Sequence, residues 1–139
     1  METIKILVFE DDIQSIKGAF DFAKELEFNG NLSIRFAPKS QDVNMSDLGN
    51  YDVIFVDITL AAKTQMDGYA ILKKIKEEHL VDPFKVRVMT GNSRVEEMME
   101  NNGIPESFFK VVHKPIDFQM ITNSIREVIA QSGNQTSTN

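Results

Sequence analysis

Five side chains suited to metal or phosphoryl chemistry stand where apolar segments of the chain end. They are Glu10, Asp11, Asp57, Thr90 and Lys114. Clustered carboxylates repel one another, so they remain ionised together only when a cation lies among them. Hard oxygen ligands suit Mg²⁺, whereas a lysine amine and a threonine hydroxyl suit the oxygens of a phosphoryl group. Such a set can transfer a phosphoryl group, with one carboxylate as the in-line nucleophile.

The most informative apolar segment is Tyr51–Asp57. Its apolar residues run without interruption into the carboxylate of Asp57, a pattern typical of a strand that is covered on both faces of a parallel sheet. Ligands of open α/β sheets bind in the crevice outside the carboxyl ends of the strands. Asp57 considered alone would more often simply start a turn. The matching chemistry at other segment ends favours a functional role.

Strand and helix patterns alternate along the chain. Apolar runs predict strands at Ile4–Phe9, Leu32–Ala37, Tyr51–Asp57, Val86–Met89 and Phe108–Val112. Apolar residues at helical spacing predict helices from Ile13 to near Phe28, over Ser40–Leu48, over Tyr69–His79, from after Ser93 to near Asn102, and from Phe118 onward. This alternation predicts an α/β fold with a doubly wound parallel sheet and right-handed crossovers. The first, third, fourth and fifth strands would then end on one edge, where the five side chains should meet.

Two helix starts carry candidate caps. Asp12 precedes the first helix, and Ser93 precedes the fourth with Glu96 three residues later, which is the spacing of a capping box. The segment Ile58–Met66 has no clear period and is predicted only as a loop.

Composition limits the classes of function. A chain of 139 residues with 42% hydrophobic content is long enough for one domain, predicted at residues 1–131, with a polar, disordered tail at 132–139. The net charge of −6 and the lack of a basic cluster make direct nucleic-acid binding improbable. The absence of cysteine excludes a disulfide framework and a thiolate metal site. No signal peptide or membrane span is indicated, so a soluble, cytoplasmic protein is expected.

The order of these motifs resembles the receiver domain of a two-component response regulator over the whole predicted domain. The motifs that carry the resemblance are Glu10-Asp11, Asp57, Asp67-Gly68, Thr90-Gly91 and Lys114-Pro115. Each motif alone is weak, but together, in this order and at matching strand ends, they are specific. The resemblance implies a flavodoxin-like (βα)5 fold with strand order 2-1-3-4-5.

The resemblance also implies roles for the site residues. It implies that Asp57 is the phosphoacceptor and that Glu10 is an outer-shell acid. It also implies that Asp11, Asp57 and the backbone carbonyl of Thr59 coordinate Mg²⁺. Thr90 and Lys114 would contact the phosphoryl oxygens, and the Lys114–Pro115 peptide bond would be cis.

The expected biological role follows from the same resemblance. A phosphohistidine on a histidine kinase or a histidine phosphotransfer protein would supply the phosphoryl group. The chain would catalyse only its own phosphorylation and dephosphorylation. Like the stand-alone members of the family, it would signal through protein contacts.

Three features depart from the family pattern. Gly68 lies 11 positions after Asp57, so the loop between them is longer than usual. Val111 stands three positions before Lys114, where the family usually has an aromatic switch residue. Thr59 and Asn92, each two positions after a site residue, are at positions where side chains tune the lifetime of the acyl phosphate.

Two alternatives remain open at this stage. A degenerate receiver would keep the fold as a constitutive protein-binding module. A phosphatase of the haloacid dehalogenase type also uses an aspartate nucleophile after a strand, but it requires a second acid two residues later, where this chain has Thr59. Incubation with acetyl phosphate and Mg²⁺ would separate the three: a single adduct, no adduct, or steady turnover of phosphate esters.

Overall fold

The computed structural model describes residues 3–60, 63–105 and 107–137, with the side chains of residues 133–137 left out. Within these ranges five parallel strands form one sheet in the order β2-β1-β3-β4-β5. The strands are β1 (Ile4–Phe9), β2 (Leu32–Ala37), β3 (Val53–Asp57), β4 (Val86–Thr90) and β5 (Lys110–His113). The α-helices are α1 (Ile13–Glu27), α2 (Gly68–Glu78), α3 (Val95–Asn101) and α4 (Phe118–Ser137). The predicted doubly wound parallel sheet and its strand order are therefore confirmed.

Both faces of the sheet are covered by helices. Successive strand side chains point to opposite faces, which gives two apolar clusters. On one face α1 and α4 pack on the sheet, and the ring of Phe20 meets those of Phe36 and Phe55 edge to face at 5.7 and 5.2 Å. On the other face α2 and α3 contribute Leu72 and Met99 to the cluster. All residues of β3 are buried, as its continuous apolar sequence predicts.

The second predicted helix is wrong. Residues Ser40–Asp42 and Met45–Asn50 form short 3₁₀ turns instead, so the second crossover contains no α-helix among the described residues and the fold is not a complete (βα)5 repeat. Asn44 provides the local reason, because its side-chain oxygen accepts a hydrogen bond from the backbone N–H of Ser46. Asn, Ser and Asp side chains compete in this way with regular helix hydrogen bonds.

The helix that follows β4 begins later than predicted. It starts at Val95, with Arg94 rather than Ser93 at the N-cap position, and the structure describes no side-chain capping bond there. The side-chain oxygen of Asn92 accepts a hydrogen bond from the backbone N–H of Arg94 at 2.9 Å, which holds this segment in a turn. The predicted capping box at Ser93 and Glu96 is therefore wrong.

Asp12 does occupy the N-cap position of α1, but its side chain makes no capping bond in the described structure. The backbone carbonyl of Asp12 instead accepts hydrogen bonds from Ser15. Farther along the chain, β5 is displaced from the predicted Phe108–Val112 to Lys110–His113, a shift of two residues at its start.

The end of the chain differs from the expected tail. α4 continues through Ser137, which takes the helix into the segment predicted to be disordered, and residues 138–139 lie outside the described part. Extending an existing helix adds one backbone hydrogen bond per residue, so polar sequence can continue it.

Within the described ranges, no helix combines the length and apolar character needed to cross a membrane.

Gly68 allows α2 to begin directly against the end of β3. A Cβ atom at this position would lie 2.5 Å from the carbonyl oxygen of Asp57 and 2.6 Å from Cα of Ile58. Both of these are backbone atoms, which cannot move aside like a flexible side chain. The carboxylate of Asp67, just before, accepts a hydrogen bond from the N–H of Ala70 at 2.8 Å and caps the helix.

Gly68→Ala is expected to lower the free energy of unfolding by about 2 kcal/mol, because the added methyl group overlaps fixed backbone. Gly18→Ala is the matched control, since Gly18 lies exposed within α1 and a Cβ there meets nothing within 4 Å. That substitution should raise the free energy of unfolding by roughly 0.5–1 kcal/mol. Urea unfolding of both variants measures the difference, and similar effects of the two substitutions would contradict this account of Gly68.

Candidate functional site

The parallel register brings the strand ends of the candidate site to one edge of the sheet. Phe9 pairs with Val56, Asp57 with Met89, and Thr90 with His113, so the residues that follow these positions lie side by side. The segment after β5 is tied to β4 because the N–H of Lys114 donates to the carbonyl of Thr90 at 2.7 Å.

A cluster of three carboxylates lies at this edge. One carboxylate oxygen each from Glu10, Asp11 and Asp57 lies within 4.8 Å of the others. Glu10 and Asp57 are almost completely buried, with 0% and 1% of their surface exposed, whereas Asp11 is partly exposed. The structure therefore brings together the three acids that the sequence singled out.

Lys114 supplies the positive charge of the cluster. Its Nζ lies 2.9 Å from Oε1 of Glu10 and 3.5 Å from Oδ2 of Asp57. The Lys114–Pro115 peptide bond is cis, which is the isomer that the resemblance implied. A single ammonium thus faces two buried carboxyl groups.

Burial and mutual contact separate the protonation states of these groups. Burial raises the pKa of Glu10 to about 7, and hydrogen bonding with Asp57 adds to the rise. Burial also acts to raise the pKa of Asp57, but hydrogen bonds with Glu10 and Thr59 and the charge of Lys114 lower that pKa below its ordinary value. Burial lowers the pKa of Lys114, yet contacts with Glu10 and Asp57 outweigh this and raise it. Near neutral pH, Asp57 is the ionised carboxylate, and Glu10 holds any shared proton.

Thr59 fixes one oxygen of Asp57. Its backbone N–H and its hydroxyl donate to Oδ1 of Asp57 at 3.0 and 2.9 Å, while Oδ2 faces Lys114. Sequence reasoning gave a role to the carbonyl of Thr59 but missed this hydroxyl contact. The N–H contact is an Asx turn, which an aspartate side chain commonly forms with the backbone two residues later, but the hydroxyl contact has no such sequence signal.

Thr90 is buried beside the cluster, at the end of β4. Its hydroxyl oxygen accepts a hydrogen bond from the N–H of Asn92 at 2.9 Å, which uses a lone pair and leaves the hydroxyl proton for another acceptor.

Val111 lies in the middle of β5 and lines a cavity of about 280 Å³ with Met99 and Phe109.

The chemistry of the cluster fits a divalent cation. Glu10, Asp11 and Asp57 offer only hard oxygen ligands, and partly exposed Asp11 keeps a side of the group open to water, as Mg²⁺ requires. Histidine does not contribute to the cluster, and the chain contains no cysteine, so its ligands do not suit a soft metal.

Comparisons with known proteins agree with this geometry. A sequence model described as the response regulator receiver domain matches residues 6–126. A receiver domain of a Francisella response regulator is similar in structure, with a TM-score of 0.64 and 19% identity over 94% of this chain and 99% of that chain. A signal receiver domain of a DNA-binding response regulator from Colwellia psychrerythraea has a TM-score of 0.64 and 22% identity, over 91% of this chain and 98% of that chain. A response regulator receiver domain protein from Clostridium thermocellum has a TM-score of 0.65 and 22% identity, over 95% of this chain and 98% of that chain.

Comparison with curated proteins gives no match. At the identities above, structural likeness establishes the fold alone, whereas the sequence match spans most of the chain and includes every residue of the carboxylate cluster together with Thr90 and Lys114. The chain therefore belongs to the response regulator receiver domain family of two-component signalling.

Proposed function

We propose that this protein is a phosphoacceptor receiver that takes a phosphoryl group onto Asp57 with the help of Mg²⁺. The observation that carries the proposal is that Oδ2 of the buried Asp57 lies 3.5 Å from the ammonium of Lys114, and the lowered pKa of Asp57 agrees with it. A carboxylate that stays ionised is a nucleophile at neutral pH, and the neighbouring ammonium can stabilise negative phosphoryl oxygens.

The proposed step forms one bond and breaks one. An oxygen of Asp57 attacks phosphorus as the bond from phosphorus to the donor nitrogen or oxygen breaks, and the leaving group keeps the electron pair and takes a proton from water. Oδ2 is the better placed nucleophile, because Oδ1 already accepts two hydrogen bonds from Thr59. Lys114 and the hydroxyl of Thr90 would hold the phosphoryl oxygens. When bound, Mg²⁺ would neutralise charge on these oxygens as the bond forms.

Asp11 and Asp57, with the carbonyl of Thr59, would hold the cation, and Glu10 would act from outside that set. A cation favours the ionised form of a neighbouring carboxyl group, so its binding would oppose the proton held on Glu10. Lys114, whose Nζ lies 2.9 Å from Glu10 and 3.5 Å from Asp57, would contact the phosphoryl oxygens from this position.

The phosphodonor implied by this proposal is a phosphohistidine on a histidine kinase or a histidine phosphotransfer protein, the partners typical of receiver domains. The chain would act on no substrate but itself. Its output would be a protein contact, which the net charge of −6 supports over direct nucleic-acid binding.

Incubation with acetyl phosphate and Mg²⁺, followed by intact-protein mass spectrometry, tests the proposal. A single phosphoryl adduct supports a receiver. Absence of any adduct would instead favour a constitutive binding module of the same fold, and steady release of phosphate from many esters would favour a phosphatase.

Asp57→Asn is expected to abolish the adduct while keeping the fold, because the amide has the same shape but is neither nucleophile nor anion. Thermal unfolding should show a folded variant, and mass spectrometry should detect no added phosphoryl group. A wild-type level of labelling in Asp57→Asn would remove Asp57 as the phosphoacceptor.

Asp11→Ala is expected to weaken Mg²⁺ binding by about tenfold or more, since it deletes a direct oxygen ligand. Asp12→Ala is the matched control, because Asp12 is the adjacent, exposed carboxylate and lies outside the cluster. Calorimetric titration with Mg²⁺ compares the two variants. Equal affinities would show that Asp11 is only a turn residue.

The proton on Glu10 predicts how stability depends on pH in the metal-free protein. The folded chain binds this proton with a pKa of about 7 against an ordinary value of 4.5, so folding takes up a proton between these values. The stabilising contribution of the Glu10 proton is therefore fully present below pH 4.5, and it is lost as the pH rises through the folded-state pKa of about 7.

The free energy of unfolding should consequently fall by roughly 2 kcal/mol between about pH 5 and about pH 8, relative to the Glu10→Gln variant. Urea unfolding in the presence of a chelator, at a series of pH values, gives this difference directly. A difference between the two proteins that stays constant or grows with pH would show that Glu10 is ionised throughout.

A further inference from the structure

The loop that follows the phosphoacceptor is tied to the segment that follows β2. The backbone N–H of Ser40 donates to the hydroxyl oxygen of Thr64 at 2.8 Å, and the N–H of Met66 donates to the hydroxyl of Ser40 at 2.9 Å. The hydroxyl of Thr64 in turn donates to the carbonyl of Met66 at 2.7 Å. Ser40 is 1% exposed, so water has little access to its side of these bonds.

Gln41 adds a second pair of bonds. Its side-chain amide donates to the carbonyl of Lys63 at 3.0 Å, and its side-chain oxygen accepts from the N–H of Gln65 at 2.9 Å. One glutamine side chain therefore makes hydrogen bonds with two backbone groups of the loop. We refer to Ser40, Gln41 and Thr64 as the loop latch.

The latch reaches across the strand that supplies two of the acids. β1 lies between β2 and β3 in the sheet, so the latch joins the segments that follow the strands on both sides of the carboxyl end of β1. Glu10 and Asp11 follow that end directly. The N–H of Glu10 also donates to the carbonyl of Ala37 at 3.1 Å, so the segment that holds the loop follows a residue bonded to the cluster.

The loop is also fixed where it leaves β3 and where it joins α2. At its start, Thr59 bonds to the carboxylate of Asp57, and the N–H of Leu60 donates to the carbonyl of Asp57 at 3.1 Å. At its end, Gly68 packs on the same carbonyl. Between these two points, the latch holds residues 63–66.

We propose that Thr64 and Gln41 are positioning residues for the cation site. They hold residues 63–66 of the long loop in place before the cation arrives, so that the loop that carries the carbonyl of Thr59 needs little ordering when it binds. Ordering a flexible loop on binding costs conformational entropy, which a loop already held by hydrogen bonds does not lose again. The inference rests on the proposed function only in taking the carbonyl of Thr59 as a cation ligand.

Thr64→Val and Thr64→Ser form the decisive pair. Valine matches threonine in shape but removes the hydroxyl, whereas serine keeps it. In metal-free protein, amide hydrogen exchange of residues 63–66 should rise in Thr64→Val and remain near wild type in Thr64→Ser. The Mg²⁺ dissociation constant should rise about three- to tenfold in Thr64→Val alone, which corresponds to the net strength of one or two hydrogen bonds.

Gln41→Ala provides a second variant on an exposed side chain, where loss of the fold is not expected. Its control is Gln65→Ala, because the described contact of Gln65 with the latch uses only its backbone N–H. The Mg²⁺ dissociation constant should rise in Gln41→Ala and stay at the wild-type value in Gln65→Ala. The rate of phosphorylation by acetyl phosphate at saturating Mg²⁺ should be unchanged in both.

The outcomes separate this inference from the proposed function. Faster exchange at residues 63–66 with unchanged Mg²⁺ affinity would overturn it and leave the latch with a purely structural role. A change in phosphorylation rate at saturating Mg²⁺ would also overturn it, because a positioning role for the cation site predicts an effect on affinity alone. If wild-type protein binds Mg²⁺ but forms no adduct, the proposed function fails, while the affinity comparison still decides the role of the latch.

Discussion

The balance of charge around Lys114 is the constraint on which the rest of the structure depends. Two carboxyl groups, Glu10 and Asp57, are buried with one ammonium between them. Buried like charges are costly, so the group is stable only if one carboxyl holds a proton or a cation is added. Glu10 and Lys114 lie 104 positions apart in sequence, and only the register of the parallel sheet brings them within 2.9 Å. The apolar core on both faces of the sheet therefore holds two carboxyl groups close together at the sheet edge, where their mutual repulsion is unfavourable.

Much of this arrangement could be predicted from sequence, because the strands are continuous apolar runs and each site residue stands at the end of one. β3 is the clearest case, since a short, continuous apolar run is typical of a strand that is buried on both faces, and every residue of β3 is buried. The predictions failed where side chains compete with the backbone for hydrogen bonds. Asn44 and Asn92 each bond to a backbone N–H two residues later, which replaces a helix in one place and delays a helix in the other.

Other features of the site could not be predicted, because they depend on distances in space. The need for glycine at position 68 arises from the backbone of Asp57 and Ile58 lying within van der Waals reach. The raised pKa of Glu10 requires knowing that its carboxyl is buried beside Asp57, whereas neighbouring Asp11 is partly exposed. Sequence identifies which residue types can do the chemistry. The fold decides which of them carries the proton.

Val111 determines how a change at this site could reach the surface. Valine is short and has one side-chain torsion, so it cannot swing between buried and exposed positions as an aromatic ring can. The site is instead linked to its surroundings through Thr90, whose carbonyl accepts from the N–H of Lys114 and whose hydroxyl accepts from the N–H of Asn92. A ligand shifts a conformational equilibrium only through contacts that differ between the two states. A movement of Thr90 toward a phosphoryl group that included its backbone would alter both bonds at once, so the start of α3 and the segment after β5 would be the parts that respond.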